Sequence, residues 1–124
     1  MGLDHGLIKD GEMVITWRKE NHIHNFFTKR LKNCENSGES DAFKIDLLYS
    51  LIAAARYLIY VEKTRPEDFL KEAEEILPTK DGFFFGDTSY DEYYMNSLHE
   101  LVNELKPILK SENYDAEFKY WSWW

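Results

Sequence analysis

The 124 residues, 44% hydrophobic and 16% aromatic, suffice for one domain with a packed core and carry too many rings for a disordered tail. With no run of about 18 apolar residues, no membrane-spanning helix is expected, and the single cysteine, Cys34, excludes an internal disulfide or a cysteine zinc site. Residues 1–33 carry six Lys/Arg against four Asp/Glu and residues 34–124 nine against nineteen, so the net charge of −8 sits in a body that repels phosphate backbones and attracts basic surfaces.

Residues 1–12 hold three glycines and little periodicity, and read as a loose lead-in. They lack the basic-then-apolar pattern of a signal peptide, and Gly6 stands where a myristoylation motif needs Ser or Thr. A cytoplasmic protein is expected. The first helix is predicted over Trp17 to Lys32, capped by Thr16, with Ile23, Phe26, Phe27, Arg30 and Leu31 at helical spacing. The stretch 33–40 breaks it, because Asn, Ser and Gly favour local hydrogen bonds and positive φ.

A second helix is predicted from Asp41 to Glu62, where Leu47, Leu48, Leu51, Ile52, Ala55, Leu58 and Ile59 form a broad apolar stripe. Thr64-Arg65-Pro66-Glu67 reads as a capping box for a third helix that Pro78 closes. Ser89-Tyr90-Asp91-Glu92 reads as another, ahead of Tyr94, Leu98, Leu101, Val102, Leu105, Ile108 and Leu109; Pro107 should kink or end that helix. Gly82–Gly86 and the tail Glu117–Trp124 have extended character. The expected fold is therefore mainly α: a single-domain bundle of about four helices, with a short β-pairing between the 82–86 segment and the tail.

Three constellations bear on function. His22 and His24 lie two apart, which in a helix points them to opposite sides, so no metal site and no cofactor is expected. Trp17, Arg18 and Lys19 open the basic part of the chain and suit either an anion site or ion pairs with the acidic body. Tyr90-Asp91-Glu92-Tyr93-Tyr94 is the densest aromatic and acidic patch, suited to an interface or to packing, with Asp91 and Glu92 also favoured by a helix N-terminus. Three tryptophans in the last four residues must fold back onto the body or dock on a partner or a second copy. Walker, Gly-x-Ser-x-Gly, HExxH and dinucleotide motifs are absent, and no enzyme activity is expected.

Two blocks resemble a family of small uncharacterised bacteriophage proteins. Residues 16–27, TWRKENHIHNFF, are similar to its WRKxNxIHxWF opening, and residues 77–94, LPTKDGFFFGDTSYDEYY, to its LLPTxxGFFFGSTxYDExY block. The aromatic ending is similar too. The blocks cover about a third of the chain, and residues 33–76 match nothing comparable; Phe26 stands for a family Trp and Asp87 for a family Ser. Members sometimes carry the label phosphoglycerate kinase, which this chain does not fit, having no phosphate-cradling loop and too little length for two lobes.

The resemblance implies a phage setting and draws attention to Trp17, Arg18, Lys19, Asn21, His24, Gly82, Phe83, Phe85, Gly86, Asp91, Glu92 and Tyr94, to which the patch adds Tyr93. With the acidic body, it points to an accessory protein that binds and inhibits a host protein with a basic surface, such as a CRISPR effector. Membrane attachment and direct nucleic-acid binding are not expected; a homodimer is compatible. A nucleotide-sequestering domain is the alternative, with Arg18, Lys19 and His24 facing rings of the 82–86 turn. A cleft gathering His24, Asp91 and Glu92 would instead suggest an enzyme.

Overall fold

The computed structural model describes residues 2–34, 38–82 and 86–124. Strands β1 (Asp4–Lys9) and β2 (Glu12–Arg18) lead into helix α1 (Asn21–Arg30). Two short strands, β3 (Gly38–Glu39) and β4 (Phe43–Lys44), precede α2 (Asp46–Thr64), a 3-10 turn (Pro66–Asp68) and α3 (Phe69–Ile76). Helix α4 (Glu92–Ser111) and strand β5 (Glu117–Trp123) follow. The strands form an antiparallel sheet in the order β2-β1-β5-β3, with β4 also on β5. The fold is thus α+β, which corrects the mainly α bundle read from the helical stripes.

The correction begins at the N-terminus. Asp10 and Gly11 both take positive φ (55° and 80°), as a two-residue type I′ hairpin turn requires, and Asp-Gly is a favoured pair there. The loose lead-in is therefore the first arm of a hairpin. Its second arm contains Val14-Ile15-Thr16, a β-branched run that suits a strand. Thr16 consequently lies in β2, and Trp17 is a strand residue two positions before the chain turns at Lys19 (φ 62°) into α1.

Alternation sorts the sheet into two faces. His5, Leu7, Ile15, Trp17, Phe118, Tyr120 and Ser122 are all buried on the inner one. Phe27 of α1 stacks on Tyr120, with ring centroids 4.5 Å apart, and also on Trp17. All eight residues from Asn21 to Thr28 are buried, so α1 is enclosed on every side. Beyond it, α2 packs on α4 and α3, burying Leu51, Ala55 and Leu58 against a core that includes Leu98, Leu101 and Leu105. On the other face Asp4, Thr16, Arg18 and Trp123 are exposed and Trp121 is half-buried. Gly6 admits no side chain: a Cβ there would strike the Ile15 carbonyl oxygen and lie 2.6 Å from Met13 Cε.

Other boundaries shift for local reasons. Thr64 ends α2, its hydroxyl donating to Tyr60 O (2.8 Å), and does not cap α3. At α4 the cap is Asp91, not Ser89: its carboxylate accepts from the Tyr93 and Tyr94 amides. The helix continues through Pro107 to Ser111. The tail pairs with β1, β3 and β4; residues 83–85 of its expected partner lie outside the described residues.

Candidate functional site

The buried face of the sheet carries a polar chain. Tyr120 Oη lies 2.6 Å from His24 Nδ1 and 2.8 Å from His5 Nδ1. A hydroxyl has one proton, so Tyr120 donates to one imidazole and accepts N–H from the other. His5 Nε2 is buried 3.8 Å from Glu20 Oε2, and neither atom has a hydrogen-bond partner among the described residues. The arrangement that best serves Glu20 has His24 Nδ1–H donating to Tyr120, Tyr120 to His5 Nδ1, and the His5 proton on Nε2, facing the carboxylate. Burial lowers the pKa of all three inner histidines, His5 well below its usual value, His22 to about 3 and His24 to about 4, so they are neutral at pH 7.

Glu20 stands where this chain meets the surface. Desolvation and, more weakly, the fields of Glu104 and Glu100 raise its pKa to about 7. Glu104 is raised by the same two causes, burial and then Glu100, although its Oε1 accepts a hydrogen bond from Trp17 Nε1 at 3.0 Å. Tyr93, 59% exposed, is raised by desolvation and by Glu20 and Glu100. The three carboxylates thus lie within one another's fields and form an acidic face, with Tyr93 in the fields of Glu20 and Glu100. Among the described residues no Lys or Arg nitrogen comes within 4.0 Å of its three carboxylates.

The two family-like blocks meet beside this face, mostly as a seam. Asn21 donates to Asp87 O (2.8 Å) and accepts from the Lys80 amide (3.0 Å). Asn25 donates to Pro78 O, and Tyr94 Oη to Leu77 O at 2.7 Å. His22 pairs with Ser97 at 2.9 Å. Among the described residues a cavity of about 10 Å³, bordered by Lys19, Asn21, Asp87, Asp91 and Tyr93, lies between them; that barely admits a water.

The expected site residues therefore separate. Trp17, Asn21, His24 and Tyr94 are buried and structural. Arg18 is exposed on the outer sheet face, 4.0 Å from Asp4, away from His24. Lys19 is exposed at the corner, where Gly86 closes against its Cβ. Asp91 caps α4, and Glu92 and Tyr93 are exposed on its first turn. Phe83 and Phe85 lie outside the described residues. His24 is gathered with His5, Tyr120 and Glu20, not with Asp91 and Glu92. The members missed from sequence were His5, Glu20, Glu100, Glu104 and Tyr120; the signal for His5 was the Asp10-Gly11 turn, which makes residues 4–9 a strand.

Among the described residues no group of three or more His, Cys, Asp or Glu is placed to hold a metal ion, and no helix is long and apolar enough to cross a membrane. Comparison of the chain with known protein families, with curated proteins and with solved structures gives no match.

Proposed function

We propose that this chain is a phage-encoded accessory protein that acts in the cytoplasm of an infected bacterium by binding, and blocking, a basic surface of a host protein. The observation that carries the reading is Tyr93, an exposed ring in the fields of Glu20 and Glu100, with Glu104 further along the same helix and no Lys or Arg nitrogen within 4.0 Å of the three carboxylates among the described residues. Exposed tyrosine supplies contact area at low entropy cost, and unneutralised carboxylates supply selectivity and fast encounter with a cationic partner. A protein that handles nucleic acid offers such a surface, so a defence component such as a CRISPR effector is the favoured target.

The test is capture from a lysate of the bacterial host, with Tyr93→Ala and Glu100→Gln as controls. A captured protein that is released by high salt and lost with either substitution supports the reading. Capture indifferent to salt and to both substitutions overturns it. Thermal stabilisation by nucleotides, abolished by Arg18→Ala, would favour the sequestering alternative; Arg18, exposed beside Asp4 and apart from the buried His24, speaks against it.

A further inference from the structure

Helix α2 carries exposed rings in a symmetrical order. Its inner side is buried through residues such as Leu51, Ala55 and Leu58. Outward it presents Asp46, Tyr49, Ala53, Tyr57 and Tyr60, all exposed and spaced three, four, four and three residues apart. We infer that this stripe is the seam of a homodimer, in which α2 of a second copy lies antiparallel across it and the two Ala53 residues face each other on the two-fold axis. The inference concerns a different helix from the acidic face and stands independently of the host-binding role.

The rings and the charges of the stripe carry it. Tyr49, Tyr57 and Tyr60 are 50%, 38% and 58% exposed, and three tyrosines along one helix face mark an interface more than a solvated surface. Two of them are already held: Tyr49 Oη donates to Leu109 O at 3.2 Å, and Tyr57 Oη accepts from Arg65 Nη2 at 3.2 Å. Covering them therefore costs little side-chain entropy. The charged residues of the stripe, Asp46, Arg56 and Lys63, have no ion pair within 4.0 Å among the described residues. Asp46 lies in the first turn of α2 and Lys63 in the last. An acid at one end and bases towards the other make the stripe its own complement, which a two-fold contact requires.

Charge also selects the antiparallel arrangement. Turned about Ala53, Tyr49 comes level with Tyr57 of the second copy, and Asp46 with its Tyr60, whose hydroxyl can donate to the carboxylate. Arg56 and Lys63 of the second copy then lie about one turn to either side of Asp46. A parallel pairing would set Asp46 against Asp46 and Lys63 against Lys63, and align the two helix dipoles. Ala53, the smallest side chain of the stripe, lets the axes approach to about 8–10 Å. The net charge of −8 on each chain opposes association, but this stripe carries two bases against one acid. A dissimilar partner would need matching charge, not the even spacing about Ala53.

Two distances follow from the symmetry. Axes about 8–10 Å apart place the facing Ala53 Cα atoms about 4–6 Å apart, inside the range that a disulfide spans. Thr64 lies eleven residues beyond Ala53 on the same helix, so the two Thr64 residues of the dimer are about 33 Å apart. The seam is one helix per copy, 19 residues long or about 28 Å. It belongs to the small class of interfaces, and the dimer is weak and concentration-dependent.

The test is sedimentation of the full chain from about 5 to 500 µM, a range that covers weak interfaces, with cysteine crosslinking under mild oxidation beside it. The mass should move from one chain towards two as concentration rises. Ala53→Arg, at an exposed position, should hold it at one chain with an unchanged circular dichroism spectrum, and Asp46→Lys should weaken association several-fold. Ala53→Cys should form a covalent dimer and Thr64→Cys should not; the native Cys34 is buried and gives no background. A chain that stays monomeric throughout, its α2 stripe left to another protein or to solvent, overturns the inference. So does a dimer that persists in Ala53→Arg, or crosslinking at position 64 as readily as at 53. Should Ala53→Arg fail to fold, the two cysteine variants decide alone.

Discussion

Replacing Glu20 by Gln tests the strain in the acidic face directly, because Gln keeps the shape and removes the charge. The folded chain holds the Glu20 proton up to about pH 7, against 4.5 for an ordinary glutamate. Between those values the folded state binds a proton that the unfolded state has released, so this residue makes stability fall as pH rises through the window. With the side chain only 14% exposed, solvent screening is small, and the loss amounts to about 2–3 kcal/mol between pH 5 and pH 8. His22 and His24 work in the opposite direction. Buried neutral, they stabilise the fold above pH 6.5 and lose that contribution as pH falls towards 4 and 3. They are present in both proteins and cancel in the difference. Urea unfolding of the parent and of Glu20→Gln at half-unit steps should therefore give a stability difference that moves in favour of Gln by about 2–3 kcal/mol from pH 5 to pH 8. A difference that is flat, or that moves towards the parent as pH rises, would mean Glu20 ionises without penalty and would refute the reasoning.

Other outcomes follow from the packing. Tyr120→Phe removes the hydroxyl shared by His5 and His24 and should cost about 2–4 kcal/mol in thermal or urea unfolding; a loss under about 1 kcal/mol would mean the two rings find other partners. Gly6→Ala drives a methyl into the Ile15 carbonyl in the middle of the hairpin and should destabilise by about 3 kcal/mol or more, read as a collapse in soluble yield or Tm. Asn21→Ala removes both bonds that pin residues 80 and 87; it should cost about 1–2 kcal/mol and speed limited proteolysis between residues 78 and 90, with no effect on cleavage within α2.

Helix-forming stripes were legible because they are local. The spacing of Leu48, Leu51, Ile52, Ala55 and Leu58 found α2, and the run from Leu98 to Leu105 found α4. The sheet was not, since its central pairing joins Asp4 to Trp123 across nearly the whole chain, and no window of sequence reports that. What was readable and overlooked is the Asp10-Gly11 turn and the β-branched run after it. The site divides the same way. Tyr93, Glu92 and Asp91 were found from a dense local patch, whereas the carboxylate face needs Glu20 beside Glu100 and Glu104, which only the packing of α4 near the hairpin brings together. Asn21, His24 and Tyr94 look like functional polar residues in sequence; each spends its polar atoms inside the fold.

The strand order also dictates when the fold can form. Strand β5 is the inner neighbour of β1, yet more than a hundred residues separate them in synthesis. Until residues 117–123 emerge, the early hairpin has no partner along one edge and α1 no Tyr120 to stack on. Nascent α2, α3 and α4 can zip locally first, and closure of the sheet becomes the late, entropically slow event. A ribosome stalled before residue 117 would thus present an unpaired β1 edge, the form of this chain most exposed to aggregation and to chaperones.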